Sequence, residues 1–282
     1  MRFLFLADCQ LGAYATFSGM TADDVAAFAA RDMRVALVPQ VEGFAWEAVR
    51  YRQAIATANQ LQPAFVVLGG DMTHNPGADD QLDELLAITA DLDADIPMHW
   101  VPGNHDIAPD WLIPTAASIG RYRDRFGPDY YSFTAGGTRF IALDTVVIDH
   151  PEHVPDDYEE QLAWLRRVLA TATAAGQRIV LLGHHPLFTA TPDEEDTYWN
   201  LPRERRSLLL ELIHRHDVRI GFAGHWHRNA IAFDGRFEMV TSGPVGYPLG
   251  DDPSGFRVVD VTAEGVRHEY HPLPETGRDD IR

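Results

Sequence analysis

Five short stretches of the sequence carry side chains that could bind metal ions or transfer protons. One of them, Gly103-Asn104-His105-Asp106, offers an amide oxygen, an imidazole and a carboxylate from neighbouring positions. An amide oxygen suits a hard or borderline divalent metal, and an imidazole can bind a metal or move a proton. The other four stretches are Asp8-Cys9-Gln10, Gly70-Asp71, Gly183-His184-His185-Pro186 and Gly224-His225-Trp226-His227.

Together these stretches supply oxygen and nitrogen donors and need no thiolate. The candidate metal ligands are Asp8, Gln10, Asp71, Asn104, His184, His225 and His227. Such a set suits Mn, Fe, Zn or Mg better than a soft metal, and a carboxylate such as Asp71 can bridge two ions. Asp8 or Gly70-Asp71 alone would be an ordinary turn or capping residue, but the joint set predicts a two-metal site. Such a site hydrolyses phosphoric esters with a metal-bridging hydroxide.

His105 is the candidate proton donor for this reaction. It follows the candidate ligand Asn104 without being needed as a ligand itself, so its imidazole can protonate the leaving oxygen. Asp106 is the candidate for orienting this imidazole, and we expect Asp106 to raise the pKa of His105.

Each of the five stretches follows a short apolar run that is typical of a buried strand. The runs span residues 3–7, 65–68, 98–102, 179–182 and 220–223. Further strands are predicted at 130–133 and 139–143, joined as a hairpin through Gly136-Gly137, and at 230–233, 236–240, 257–261 and 266–270. Since the polar stretches all follow strands, we expect the site at one edge of a sheet.

Helical periodicity is found between these strands. It predicts helices over 25–37, 43–61, 79–92, 158–175 and 203–216, and a loop and helix over 109–126. In the second of these, Phe44, Val49, Ile55 and Leu61 are the candidate core positions. The alternation predicts an α/β fold in which two sheets are flanked by helices. We interpret 1–282 as one domain, with a core of about 2–272 and with 13–40 as an insertion near the site.

The composition limits the kinds of partner that the protein is expected to bind. The formal net charge is −19, and all 23 basic residues are arginine, which argues against nucleic acid or an anionic membrane as the main partner. The apolar runs are strand-sized, and the run at the N-terminus ends too early, at Asp8, for a signal peptide. With Cys9 as the only cysteine, these features predict a cytoplasmic protein. The oligomeric state is left open.

The order of the five motifs, from residue 3 to about 270, resembles the calcineurin-like metallophosphoesterases. The resemblance implies a four-layer αββα sandwich of two mixed sheets, with two metal ions at the sheet ends. It assigns one ion to Asp8, Gln10, Asp71 and His227, and the other to Asp71, Asn104, His184 and His225. His184 is chosen over His185 because the family ligand lies two positions before the proline. His105 matches the proton donor of the family.

A closer similarity is to the subgroup named for calcineurin-like phosphoesterase domain-containing protein 1, a serine/threonine phosphatase. It is carried by residues 7–12, 196–201 and 224–230. Most of the wider family has histidine where this chain has Gln10, whereas the subgroup shares the glutamine. Because an amide oxygen is a weaker ligand than imidazole for Zn or Fe, the first ion is expected to bind more weakly or to be a harder metal such as Mn or Mg.

The sequence therefore favours a phosphomonoesterase that acts on a phosphorylated small molecule or phosphoprotein. A phosphodiesterase for cyclic nucleotides or other diesters is the alternative, and a non-catalytic scaffold has only Gln10 in its support. Tyr198, Trp199 and Asn200 form either a wall of the substrate site or a packed surface loop. For Arg203, Arg205 and Arg206, a solvated helix face is favoured over contact with a phosphorylated partner.

Overall fold

The computed structural model describes residues 1–108, 110 and 112–275. Its strands are β1 (Arg2–Leu6), β2 (Val66–Gly69), β3 (Met98–Val101), β4 (Tyr131–Ala135), β5 (Thr138–Ala142), β6 (Arg178–Leu182), β7 (Ile220–Ala223), β8 (Ala230–Asp234), β9 (Phe237–Thr241), β10 (Gly255–Val261) and β11 (Val266–Pro272). Its helices are α1 (Ala13–Thr16), α2 (Ala22–Ala29), α3 (Ala45–Leu61), α4 (Asp79–Thr89), α5 (Asn104–Ile107), α6 (Ala116–Phe126), α7 (Thr145–Asp149), α8 (Pro155–Ala174) and α9 (Arg203–Arg215).

The strands form two mixed sheets. The first has the order β11-β10-β1-β2-β3, with β1, β2 and β3 parallel and β10 antiparallel to β1. The second has the order β4-β5-β6-β7-β9-β8, with β5, β6, β7 and β9 parallel. The neighbouring parallel strands are joined through helices, as the alternating sequence pattern predicts, except that β7 is joined to β9 through β8.

The side chains of β1 show how the layers are held together. Successive residues of a strand point to opposite faces, so Phe3 and Phe5 pack between the two sheets while Leu4 and Leu6 pack under helices. Phe3 stacks on Phe65 and meets Phe140 edge to face, with ring centroids 5.0 and 5.3 Å apart. A third apolar cluster lies between the second sheet and helices α8 and α9. The predicted four-layer sandwich of two mixed sheets flanked by helices is confirmed.

Helix α3 buries a different face from the predicted one. Of the four candidate core positions, Ile55 is buried, whereas Phe44, Val49 and Leu61 are only partly buried. The apolar part of the buried face is instead built from three alanines with one tyrosine and one isoleucine, and two charged residues are buried as well: Ala48, Ala54, Ala58, Tyr51, Ile55, Glu47 and Arg50. The prediction failed because alanine carries little hydrophobic weight, although it allows close packing of a helix on a sheet.

The predicted helix over 25–37 is shifted and shorter in the structure. Helix α2 begins after Thr21, whose side chain accepts a hydrogen bond from the backbone N–H of Asp24 in a capping box. It ends before Asp32, whose backbone has a φ of 61°. The sequence analysis also missed the one-turn helices α1, α5 and α7, which are too short to show periodicity. Pro109, where the predicted loop before α6 begins, lies outside the described residues.

The segment that we interpreted as an insertion packs beside the polar loops. Phe17 and Val35 join a small apolar cluster with Trp199, Tyr247 and Leu249. Phe17 stacks on Tyr247 with ring centroids 5.6 Å apart. The segment is therefore anchored to loops of both sheets near the predicted metal site. Over the described part of the chain, no helix combines the length and the apolar character that crossing a membrane requires.

Candidate metal centre

The predicted ligands meet where the carboxyl ends of the two sheets face each other. Asp71, His184 and His225 form one group in which all ligand atoms lie within 4.8 Å of one another. Asp8, Asp71 and His227 form a second such group. Asp71 belongs to both, as expected for a carboxylate that bridges two ions. Since the aspartates follow the first sheet and the histidines the second, the centre spans the two sheets instead of the edge of one.

The distances between the donor atoms are short. His184 Nε2 lies 3.3 Å from Asp71 Oδ1 and 3.2 Å from Asn104 Oδ1. On the other side, His227 Nε2 lies 3.4 Å from Asp8 Oδ1. The side-chain nitrogen of Gln10, as oriented here, donates to Asp71 Oδ2 at 3.4 Å. All seven predicted ligands are therefore brought together, each at most 4% exposed.

Backbone carbonyls fix the orientation of the three histidines. His184 Nδ1 lies 2.8 Å from the Gly69 carbonyl, and His227 Nδ1 lies 2.6 Å from the Tyr247 carbonyl, so Nε2 is the donor atom in both rings. His225 is reversed: its Nε2 lies 2.7 Å from the Tyr198 carbonyl, which leaves Nδ1 as the donor. A ring N–H held by a carbonyl is the usual second contact of a metal-binding histidine.

Gln10 supplies a direct test of whether a metal fits. Its side-chain oxygen is buried, and among the described residues it has no hydrogen-bond partner. An unsatisfied buried oxygen is costly unless a cation or a donor meets it. The side-chain nitrogen faces the shared carboxylate of Asp71, and exchanging the positions of the amide oxygen and nitrogen would bring the oxygen there, where a hard cation would satisfy both oxygens. The donor set thus fits two metal ions.

The ligands occupy an unusual backbone conformation. Eight non-glycine residues of the described chain have positive φ, and five of them are predicted ligands. These five are Asp8, Gln10, Asp71, His225 and His227, with φ between 40° and 66°. Such conformations disfavour side chains with a Cβ and persist at sites where the surroundings dictate them. The loops therefore hold the ligands at the expense of local backbone strain.

Two glycines let these loops approach the ligands. A Cβ on Gly103 would collide with the Asp71 carboxylate, and one on Gly224 would collide with that of Asp8. Backbone N–H groups instead reach the same carboxylates: His105 N lies 2.9 Å from Asp71 Oδ1, and His225 N lies 3.1 Å from Asp8 Oδ1. Glycine is thus required at these two positions because the backbone passes close to a ligand carboxylate.

The charges at the centre call for cations. Burial and the neighbouring charge of Asp71 raise the pKa of Asp8 well above its ordinary value. Burial acts in the same direction on Asp71, but His184 and His105 outweigh it and hold the pKa of Asp71 well below its ordinary range. In the same way, Asp71 overcomes the burial of His184 and raises its pKa to about 9. Two buried carboxylates that depend on nearby positive charge are a suitable environment for divalent ions.

His105 lies beside this centre, and the Asp106 carboxylate has partners other than the imidazole that we expected it to orient. Burial lowers the pKa of His105, and the charge of Asp71 only partly offsets this, so the expected increase is not found. The Asp106 carboxylate instead accepts hydrogen bonds from the backbone N–H groups of Gly103, Asp71 and Met72, at 2.8, 2.8 and 2.9 Å. It joins two ligand loops, while His105 Nδ1 lies 2.6 Å from the His74 carbonyl.

The loop that follows β6 places its three predicted substrate residues differently. Tyr198 is 47% exposed, and its hydroxyl lies 3.3 Å from the side-chain nitrogen of Asn104. Trp199 is buried in the apolar cluster with Phe17. Asn200 is also buried, and its amide bonds to Thr197 N, Glu194 Oε1 and the Glu195 carbonyl. This geometry favours Tyr198 as a substrate contact and gives Asn200 a part in shaping the loop.

The three arginines of α9 also differ in their burial and contacts. The interpretation of all three as a solvated face fails for Arg206, which is fully buried and donates to the Glu194 carbonyl at 2.6 Å. Arg203 caps the same loop from the surface, and the Arg205 guanidinium lies over the Tyr158 ring. Arg206 therefore supports the loop that carries Tyr198.

Sequence reasoning missed contacts made through the backbone. The Tyr247 carbonyl that orients His227 leaves no signal in residue type. Thr145 was also missed: its hydroxyl oxygen accepts the backbone N–H groups of His184 and His185 at 3.2 and 3.0 Å. The Leu143-Asp144-Thr145 sequence after β5 resembles the other strand ends, and this was the available signal.

Comparisons with known proteins agree with this site. A family model described as calcineurin-like phosphoesterase matches residues 1–229. The serine/threonine-protein phosphatase CPPED1 of Danio rerio is 37% identical over 231 residues, which cover 79% of this chain and 74% of that protein. The protein of the same name from Homo sapiens is 36% identical, with coverage of 79% and 73%.

Solved structures share the fold at low sequence identity. A dimetal phosphatase from Danio rerio superposes with a TM-score of 0.63 at 17% identity, covering 96% of this chain and 95% of that one. A purple acid phosphatase from Lupinus luteus gives a TM-score of 0.64 at 15% identity, covering 100% and 55%. These matches support the sandwich fold alone.

Proposed function

Because the chain belongs to the calcineurin-like phosphoesterase family and is a metal-dependent hydrolase of phosphoric esters, we propose that it is a phosphomonoesterase for phosphoserine and phosphothreonine in proteins. The observation that carries this proposal is the pair of ligand groups that share Asp71. The 37% identical relative named as a serine/threonine-protein phosphatase supports the choice of substrate. A cytoplasmic location and the absence of nucleic-acid and membrane partners stay predictions.

Each residue of the centre has a proposed part. Asp8, Gln10, Asp71 and His227 would hold one ion, and Asp71, Asn104, His184 and His225 the other. When bound, two divalent ions supply an activated water and positive charge for the phosphoryl oxygens. Gln10 is the neutral oxygen donor of the first group, so we propose Mn or Mg rather than Zn or Fe there.

His105 is the proposed proton donor to the leaving oxygen. Its backbone N–H is fixed on Asp71 and its Nδ1 on the His74 carbonyl, so the ring is oriented before substrate binds. Because Nδ1 donates to that carbonyl, Nε2 can give a proton only in the imidazolium form, which the negative charge of a bound phosphoryl group would favour. Asp106 acts indirectly, because it fixes the loop that carries His105 to the loop that carries Asp71.

The proposal is tested by comparing three substrates with the metal-loaded protein. Aryl phosphate and a phosphoserine peptide should be hydrolysed in the presence of Mn²⁺, each with at least about tenfold higher kcat/KM than a diaryl phosphate. A faster diester reaction would instead identify a phosphodiesterase. No turnover by protein that contains two metal ions would identify a non-catalytic scaffold.

A further inference from the structure

A groove of about 450 Å³ opens beside the proposed second-ion ligands. Its lining includes Tyr198, whose carbonyl holds His225, and Trp226, which lies between His225 and His227 in the sequence. The turn after α2, residues 30–32, lines it as well. The predicted ligands do not line the groove themselves, but Tyr198 joins it to the centre, since its hydroxyl lies 3.3 Å from the Asn104 side-chain nitrogen. From there the groove extends along the loop that follows β6. We call it the Tyr198 groove.

The walls of the Tyr198 groove are held in place by side-chain hydrogen bonds. The Glu194 carboxylate accepts the backbone N–H groups of Thr189, Ala190 and Thr191, at 2.8, 2.8 and 3.1 Å. Burial alone would raise the pKa of Glu194, but these bonds outweigh it and the pKa lies below its ordinary value. A preformed groove loses little entropy when a ligand binds.

The turn after α2 is held in a similar way. Arg228 pairs with Asp32 at 2.9 Å and also donates to the Leu249 carbonyl. Its guanidinium lies 5.3 Å from the centroid of the Trp226 ring. The Trp226 ring of the groove thus already has the Arg228 guanidinium over it.

The chemistry of the lining is aromatic and acidic. Tyr198 exposes 47% of its surface beside Trp226. Glu195 is exposed and bonds to the loop through its backbone carbonyl, 3.0 Å from Asn200 Nδ2, so its carboxylate is not part of that network. Arg31 adds one positive charge, while Asp32 pairs with Arg228 and Glu194 lies 3.7 Å from the buried Arg206. Glu195 is therefore the acid of the lining for which no ion pair is found among the described residues, and its carboxylate is the negative charge that the groove offers beside Tyr198.

We propose that the Tyr198 groove binds the polypeptide segment that flanks the phosphorylated residue, and that it favours segments with arginine or lysine. This inference rests on the proposed function. A long basic side chain can lay its stem on the Tyr198 ring and place its charge near the Glu195 carboxylate. A small phosphorylated metabolite with further negative charges would be repelled by the same lining.

Two phosphoserine peptides test the proposal. They have equal length and differ only in flanking residues, arginine in one and glutamate in the other, and aryl phosphate reports on the metal centre. Wild-type protein should show about tenfold higher kcat/KM for the arginine peptide, and this preference should shrink at high salt. Glu195→Gln should reduce the preference about threefold, and Glu195→Lys should remove it. Glu204→Gln, an exposed acid on α9 outside the groove, should keep the wild-type preference.

The outcomes separate the groove from the catalytic centre. Equal kcat/KM for the two peptides, or an unchanged preference in Glu195→Lys, would overturn the groove proposal while aryl phosphate is still hydrolysed. Failure of the metal-loaded wild type on all three substrates would instead overturn the proposed function.

Discussion

At the scale of single residues, the metal centre combines suitable donor atoms with unfavourable backbone conformations. Asp71 has a φ of 52° and its carboxylate is shared by both ligand groups. Each such position costs of order 1–3 kcal/mol, which the rest of the fold must offset. The residues whose side chains are suited to bind metal thus also carry backbone strain, which lowers the stability of the folded state.

Asp71→Asn should remove both ions. The amide keeps the size of the side chain, but it carries no charge and can no longer bridge two cations. We expect metal content to fall from two ions per chain to less than one by elemental analysis. Asp217→Asn is a matched control, since Asp217 has nearly the same φ, 51°, and lies at the surface. Retention of two ions in Asp71→Asn would refute the shared-ligand assignment.

His105→Ala should affect poor leaving groups most. If His105 protonates the leaving oxygen, kcat for an alkyl phosphate should fall about 100-fold or more, whereas kcat for a nitrophenyl phosphate should change only a few-fold. The exposed histidine variant His214→Ala serves as the control. Equal losses on both substrates would assign His105 to binding or to metal geometry.

The residue types at the strand ends were enough to predict which candidate ligands the fold brings together, because donor atoms and preceding glycines are visible in the sequence. The part of Asp106 was not predictable in this way. Its partners are backbone N–H groups of two loops, and only the fold brings these loops together. The same reason explains why the carbonyl of Tyr247 was missed.

At the scale of elements, helix α9 supports the loop that follows β6. Arg206 is buried against Glu194 and Asp196, and this loop presents the Tyr198 carbonyl to His225. Arg206→Met keeps the length of the side chain and removes its hydrogen bonds. We expect the affinity for the second metal ion to fall roughly tenfold, as measured by Mn²⁺ titration in a calorimeter. Arg215→Met, on the exposed part of α9, should bind both ions as the wild type does. Unchanged affinity in Arg206→Met would limit Arg206 to packing.

Helix α3 contains a buried carboxylate with a consequence for stability. Glu47 accepts the backbone N–H of Tyr14 at 2.5 Å, yet burial raises its pKa from 4.5 to about 7. The folded state therefore favours the protonated carboxyl, and this contribution to stability is lost as the pH rises from 4.5 to 7.

Glu47→Gln should remove this pH dependence. Relative to the wild type, the variant should gain about 2–3 kcal/mol in free energy of unfolding between pH 5 and pH 8, measured with urea. Glu204→Gln should show no such gain, because that side chain is 80% exposed. An equal difference between Glu47→Gln and the wild type at both pH values would contradict the prediction.

At the scale of the whole molecule, the metal centre connects the two sheets. Asp8 and Asp71 follow strands of the first sheet, and His184 and His225 follow strands of the second. Removing the two ions with a chelator should lower Tm by about 9 °C if each was present near 100 times its Kd, because each then contributes about 2.7 kcal/mol. Differential scanning calorimetry before and after adding back Mn²⁺ measures this shift. An unchanged Tm would mean that the ions do not stabilise the junction of the sheets.

The fold class followed from the alternation of strands and helices, whereas the face of α3 did not. Small residues such as Ala48 and Ala54 are buried there by tertiary packing that periodicity does not reveal. The one-turn helices α1 and α7 exist only because loops of the finished fold hold them.

Strand β1 lies between β2 and β10, so β1 is synthesised long before β10, one of its two neighbours in the sheet. Every predicted ligand has been synthesised by His227, and the family match ends at residue 229. A nascent chain released there would contain all the donors, but Arg2–Leu6 would expose an unpaired edge that the segment Gly255–Val261 normally covers. Strand β10 therefore covers an edge of β1 that would otherwise be open to pairing with another chain, although neither β10 nor β11 contributes a side chain to the proposed ligand sets.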